Sequence, residues 1–443
     1  MKKRRLCIAA TAICLLLSGC TSLSLSSPDI LTPPKAEGNQ AEIQELILNS
    51  ADSSHYEMVY PRQGDYKSSV IFVNLDGDSD DEAIAMFTCD KEAVKVLVAD
   101  KEKEKYVSLT ECTVYAPMLD QVEIADFGGD EKAILLSYPG SSPTLESLTV
   151  ISPGDGVQHD LINTCAAHVV GDYDGDQTDD LLTLALADGE NLPTARLFTG
   201  SDGAITEQSS CEISSDTKDY VGLSFGKICN EISGAVIDAV NTDGRYSTQL
   251  ICYDYNVRSI INPLYVNDGY DRTKRTAKVT SADIDRDGVI EIPLCAPMAY
   301  SQNEDDSTVC DRIDWSVYEY AQASFSTKQS AVLCDKLGFL LNLSTERADI
   351  VTARYTGENA MSVFLWEYKR GAPERTTKLL TVRRYDKAAY NSGKIIEAAA
   401  AENNTYIYTY VIDSEDDYYT FTDDEVKNSI VLFEEPSDGD PLK

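Results

Sequence analysis

The sequence predicts a mainly β protein: a β-propeller of about five four-stranded blades, followed by a small C-terminal α+β domain. Three observations carry this prediction. An acidic nine-residue stretch recurs as Asn74-Leu75-Asp76-Gly77-Asp78-Ser79-Asp80-Asp81-Glu82, as Asp172-Tyr173-Asp174-Gly175-Asp176-Gln177-Thr178-Asp179-Asp180, and as Asp283-Ile284-Asp285-Arg286-Asp287-Gly288-Val289-Ile290-Glu291. Each copy runs into an apolar β-type segment, at 83–87, 181–186 and 292–294. Third-position Asp76 and Asp174 lie 98 residues apart, and Asp174 and Asp285 lie 111 apart. Those spacings fit pairs of units of about 50 residues, the period of a four-stranded blade. Radial closure of such units would leave few sheet edges exposed.

Taken in order, residues 1–19 are expected to be a lipoprotein signal peptide. Lys2, Lys3, Arg4 and Arg5 form a basic start, and 6–17 is an apolar core too short for a stable membrane span. Leu17-Ser18-Gly19-Cys20 follows and resembles the bacterial lipobox. That resemblance implies diacylation of Cys20 and a place on the outer face of a bacterial plasma membrane, where two acyl chains anchor stably. Residues 20–38, rich in Ser, Thr, Pro and Gly, form a flexible tether. In the 39–65 lead-in, Asn39 with Glu42 three residues on predicts a capping box, and Ile43, Leu46 and Ile47 give the helix an apolar stripe.

Residues 66–336 hold the repeats. Unit one predicts strands at 69–73, 82–87, 94–98 and 106–113; unit two at 122–126, 133–137, 147–151 and 159–163. The loop of unit two, Asp126-Phe127-Gly128-Gly129-Asp130, is degenerate, with Gly128 where a side-chain oxygen belongs. Unit three places strands at 181–186, 195–198 and 211–213, and unit four at 221–225, 235–240 and 249–255 without an acidic loop. Unit five predicts strands at 278–284, 291–295, 315–320 and 331–334. From 337 to 443 the repeat stops: strands at 338–343, 350–355, 363–368, 379–384 and 406–411 mix with helices at 394–401 and after Thr422, which has Glu425 three residues on.

Side-chain oxygens at alternate positions of a tight loop can wrap one hard cation. Calcium takes six to eight oxygens in a flexible shell, some from backbone carbonyls. The candidate ligands are Asn74, Asp76, Asp78 and Glu82; Asp172, Asp174, Asp176 and Asp180; and Asp283, Asp285, Asp287 and Glu291. No His or Cys falls in these loops, which argues against zinc or copper. The loops resemble the calcium loops of FG-GAP and VCBS-type β-propeller repeats. The whole layout is similar to a family of lipoproteins of Gram-positive anaerobes. The resemblance implies structural Ca2+ and an anchored propeller, and it implies no activity.

The chain carries 38 Lys and Arg against 74 acids, a net charge of −36, which repels nucleic acid and anionic lipid. Beyond the signal segment and Cys20, nine cysteines remain, with no CxxC spacing; a disulfide or two suits an exported chain, but the spacing assigns none. The three histidines, His55, His159 and His168, stand beside no nucleophile motif. The expected role is therefore a non-catalytic binding or scaffolding lipoprotein whose ligand is a cell-wall glycan, a peptide or a protein. The alternative is a calcium-stabilised glycan-active hydrolase or lyase, its carboxylate pair hidden among the many acids.

Overall fold

The computed structural model describes residues 38–433, apart from 52–54, 104, 143, 155, 190, 202–203, 230, 267–268, 299–307, 370–371 and 415–418. The expected signal peptide, Cys20 and nearly all of the tether lie outside the described residues. No helix among those described is long and apolar enough to cross a membrane.

The chain is mainly β, and the described residues form six antiparallel sheets. In the first, β1 (Glu57–Met58) and β2 (Val70–Val73) both pair with β3 (Glu82–Thr88), which β4 (Val94–Glu102) and β5 (Lys105–Val114) extend. The second is a meander of β6 (Gln121–Ala125), β7 (Ala133–Pro139), β8 (Glu146–Ser152) and β9 (Val157–Cys165). The third follows with β10 (Ala167–Gly171), β11 (Asp180–Ala185), β12 (Thr194–Ser201) and β13 (Ala204–Glu212). The fourth has β14 (Thr217–Cys229), β15 (Ile232–Asn241), β16 (Tyr246–Asp254) and β17 (Ser259–Ile261). The fifth contains β18 (Ile292–Pro297), β19 (Asp311–Glu319), β20 (Ser324–Cys334) and β21 (Phe339–Leu343). The sixth runs β22 (Val351–Gly357), β23 (Ala360–Lys369), β24 (Ala372–Asp386), then β26 (Tyr406–Ile412), with β25 (Ala398–Glu402) at its edge. The last strand, β27 (Ile430–Leu432), returns to pair with β21.

Apolar runs without polar alternation belong to strands buried on both faces. All seven residues of β3 are buried. Ile84 and Met86 pack toward the second sheet, while Ala83, Ala85 and Phe87 pack under the helix Asn39–Ser50. The same division repeats down the chain. In β7, Ile134 and Leu136 face the first sheet and Leu135 the third; in β15, Ile237 faces the third and Val236 the fifth. Each sheet thus shares an apolar core with the next. Among the described residues, no core cluster joins the first sheet to the sixth. The helix Asn39–Ser50 covers the outer face of the first sheet through Ile43 and Ile47. The face of the sixth turned away from the core it shares with the fifth carries a hydroxyl row: exposed Thr356 and buried Ser362 and Thr381 in contact, with Thr381 donating to Asp413 at 2.6 Å.

Four expectations are corrected. Asn39 does not cap its helix: Gly38 holds that position without a side-chain bond, and Glu42 instead accepts the Tyr106 N–H at 3.0 Å, tying the helix to β5. The strand expected at 278–284 is reduced to one bridge, Ala282 to Glu291. Side chains of the fourth sheet hold this segment: Asp238 Oδ2 accepts the Ser281 N–H at 2.7 Å. Phe339–Leu343 belongs to the fifth sheet as the partner of β20, not to a separate domain. The helix expected at 394–401 is absent. Gly393, at φ 74°, breaks the helical path, and 398–402 pairs as a strand with β26. The second expected cap is present: Thr422 Oγ1 accepts the Glu425 N–H, and Glu425 accepts the Thr422 N–H, at the start of the helix Asp423–Ser429.

Candidate metal centres

The first two acidic loops join the opening strands of their sheets, β2 to β3 and β10 to β11; the third leads into β18. The second and third share one backbone shape. Both take left-handed φ at their fourth and sixth positions: Gly175 (74°) and Gln177 (75°), then Arg286 (65°) and Gly288 (86°). In both, the sixth-position N–H donates to Oδ2 of the first aspartate, Gln177 to Asp172 at 3.1 Å and Gly288 to Asp283 at 3.0 Å. The different glycine positions in the sequence thus hide one conformation. The first loop has left-handed Gly77 at its fourth position, and Asn74 Oδ1 accepts the Gly77 N–H while Asn74 Nδ2 donates to the Asp78 carbonyl.

Three carboxylates converge in each loop. Oxygens of Asp76, Asp78 and Glu82 lie within 4.8 Å of one another, as do those of Asp172, Asp174 and Asp180, and those of Asp283, Asp285 and Glu291. Asp176 and Asp287 are outside these groups. Each turns an oxygen onto a seventh-position N–H, Asp176 to Thr178 and Asp287 to Val289, both at 2.8 Å. The fifth-position acid of the first loop makes the same bond, Asp78 accepting the Asp80 N–H at 2.7 Å, while staying in its group.

The ninth position anchors each site. Glu82, Asp180 and Glu291 are buried, at 2%, 1% and 0% exposure. Each accepts the N–H of the loop's second residue, from Leu75, Tyr173 and Ile284. The other oxygens of Glu82 and Glu291, both named Oε1, are buried with no hydrogen-bond partner. A buried carboxylate oxygen without a partner is costly, and a cation among the converging acids would satisfy it. Burial pushes Glu82, Asp174 and Glu291 above the usual carboxylate range, and neighbouring aspartates add to the push. Burial, then the Asp174 and Asp176 charges, lift Asp180 to about 7 against the pull of the Tyr173 N–H. An all-oxygen anionic donor set with a buried orphan atom fits a hard divalent cation such as calcium.

The degenerate loop of the second sheet gathers no such group. It is clasped to its neighbour: Asp126 N–H donates to Asp179 Oδ2 at 2.8 Å, and Asp179 N–H returns to the Asp126 carbonyl at 2.6 Å. Its role here is to join sheets.

A second polar cluster was not foreseen from the spacing of its residues. The His168 ring, on β10, is buried between Glu146 on β8 (Nδ1 to Oε1, 2.6 Å) and Glu123 on β6 (Nε2 to Oε2, 2.7 Å). Burial opposes its charge, but the two carboxylates outweigh burial and push it up to about 9. Glu123 also lines a cleft of about 290 Å³ with Gly64, Asp65, Tyr66 and Gln121.

No family model and no curated protein matches the chain. A solved structure of a protein from Lactobacillus plantarum is similar at 10% identity and a TM-score of 0.24, over 70% of this chain and 95% of that one. A likeness at that score carries no argument.

Proposed function

We propose that this chain is a calcium-stabilised, lipid-anchored array of propeller-type blades of the FG-GAP and VCBS kind. It acts as a non-catalytic binding or scaffolding module on the outer face of a bacterial plasma membrane. The unpartnered buried oxygens of Glu82 and Glu291, each set beside two further carboxylates, carry the metal reading. The ion neutralises clustered acids and fixes the turn into each sheet. The four-stranded meanders and the matched second and third loops support the blade reading. The helix on the first sheet and the hydroxyl row on the sixth favour a capped, open series over a ring, as at the ends of other repeat arrays. The Leu17–Cys20 motif supports the anchor, and the net charge of −36 favours neutral or cationic partners over nucleic acid.

The test is thermal unfolding of residues 38–443 in excess EDTA and then across a calcium titration. The expected result is a rise in Tm that saturates with calcium, together with up to three bound ions per chain by calorimetry. An unchanged Tm with no bound ion would overturn the metal reading and return the carboxylates to the hydrolase alternative.

A further inference from the structure

Nine cysteines are described, none of them joined to another in the structure: Cys89, Cys112, Cys165, Cys211, Cys229, Cys252, Cys295, Cys310 and Cys334. Strand register separates most of them. Cys112 faces Val96, Cys165 faces Glu146, Cys211 faces Ala195 and Cys229 faces Ile232. Cys252 faces Gly234 and Ile261, and Cys295 faces Ile313. One pair differs. β19 and β20 run antiparallel with Arg312 opposite Val332 and Asp311 opposite Leu333. Just beyond the end of that register, where the chain crosses to β22, the side chains of Cys310 and Cys334 are hydrogen-bonded to each other. Both are buried, at 3% and 0%, in one core cluster.

We propose that Cys310 and Cys334 form a disulfide that staples the fifth sheet at its seam with the sixth. Their hydrogen bond puts the two sulfurs in contact, and closing them into a disulfide asks only for Cα atoms about 4.4–6.8 Å apart. The position matters to the fold, because the Cys310 N–H donates across the seam to the Ala353 carbonyl on β22 at 2.9 Å. The Cys334 carbonyl accepts the Gly338 N–H at the turn into β21. Burial holds the Cys334 thiol well above the ordinary thiol range, and its hydrogen bond with Cys310 adds to this. A buried thiol supplies little thiolate, so the bond forms while the strands are still open. The oxidant is an organic disulfide. One thiolate attacks it and releases a thiolate, and the second cysteine then displaces the other half. Two electrons and two protons leave the pair, and one donor disulfide becomes two thiols.

The experiment refolds the full chain from denaturant with oxidised and reduced glutathione. Free thiols are then blocked at acid pH, and the protein is digested without reduction. Mass spectrometry is expected to find the Cys310 and Cys334 peptides joined as one species, two hydrogens lighter than the separate thiol peptides. Reductant is expected to release them and to lower Tm. Natively refolded protein in which both cysteines carry the blocking group, or in which either is joined to another cysteine, would overturn the proposal.

Discussion

The Arg275 guanidinium donates to Asp238 Oδ1 at 2.7 Å, and neither side chain reaches solvent, at 0% and 3% exposure. Arg275 also donates to the carbonyls of Val279 (2.7 Å) and Thr273 (3.0 Å) and to Thr248 Oγ1. Asp238 accepts from Ser281 and Thr248. This network stands where the fifth unit lacks a first strand, and it folds the lead-in to the third acidic loop onto the fourth sheet. Arg275→Ala would leave a buried carboxylate without its cation, which costs about 3–5 kcal/mol. Urea unfolding should register that loss, and adding Asp238→Leu to it should restore part of the stability. Equal losses in the single and double variants would assign the cost to packing alone.

His168 makes stability depend on pH in a stated direction. Its folded value of about 9 lies above the ordinary 6.5, so its contribution is complete below about pH 6.5 and is lost as pH rises through about 9. The shift corresponds to on the order of 3 kcal/mol. Around it, Cys165 Sγ sits 3.7 Å from Glu146, and Asp120, lifted by burial, pairs with Arg62 at 3.0 Å. His168→Gln should therefore lower Tm strongly at pH 6 and only slightly at pH 10. A penalty that stays constant between those two values would remove the charged clamp between the second and third sheets.

Glu291→Gln separates metal binding from packing at the third site. The substitution removes the buried charge and keeps an acceptor for the Ile284 N–H, which Glu291 Oε2 now holds at 3.0 Å. In EDTA its Tm should be close to that of the parent chain, because a desolvated carboxylate is lost along with its hydrogen-bond asymmetry. In calcium it should gain less than the parent by one site's share, about 2.7 kcal/mol at a hundredfold excess over Kd. Calorimetry should count one fewer ion. A full calcium response in Glu291→Gln would strike the third loop from the set.

Much of the architecture was legible because strands buried on both faces read as unbroken apolar runs: 83–87 and 133–137 could hardly be anything but strands inside a stack. The ends of the array were harder to read. Residues 394–401 have the alanine content of a helix, yet 398–402 gains more by pairing with the exposed edge of β26. Asn39 and Glu42 satisfy the capping pattern, yet the long-range Tyr106 N–H claims the Glu42 carboxylate. In the site, spacing located Asp76, Asp174 and Asp285, which do converge with their neighbours. It could not reveal that the oxygens of Asp176 and Asp287 stand outside the converging groups while Asp78 stands inside its own, because that depends on the turn geometry. His168 was out of reach, since its two partners come from strands 22 and 45 residues away.

The matched turns of the second and third loops give a last prediction. Left-handed φ at Gln177 and Arg286 costs an L-residue about 1–2 kcal/mol, a cost that glycine escapes. The third loop has its glycine at the sixth position, where a Cβ would meet nothing within 4 Å. Gly288→Gln alone should therefore lose about 1–2 kcal/mol through the backbone and nothing through packing. Adding Arg286→Gly moves the glycine to the fourth position, as in the Asp172 loop, where Gly175 and Gln177 already adopt the same pair of φ values. The double variant should recover most of the loss, because the backbone shape, with its Asp283 hydrogen bonds, is restored at equal strain. Urea midpoints of the parent, single and double variants decide the matter. A double variant as unstable as Gly288→Gln alone would mean that the two loops share their angles by coincidence, and that the glycine at position 288 serves the third site in a way the second does not need.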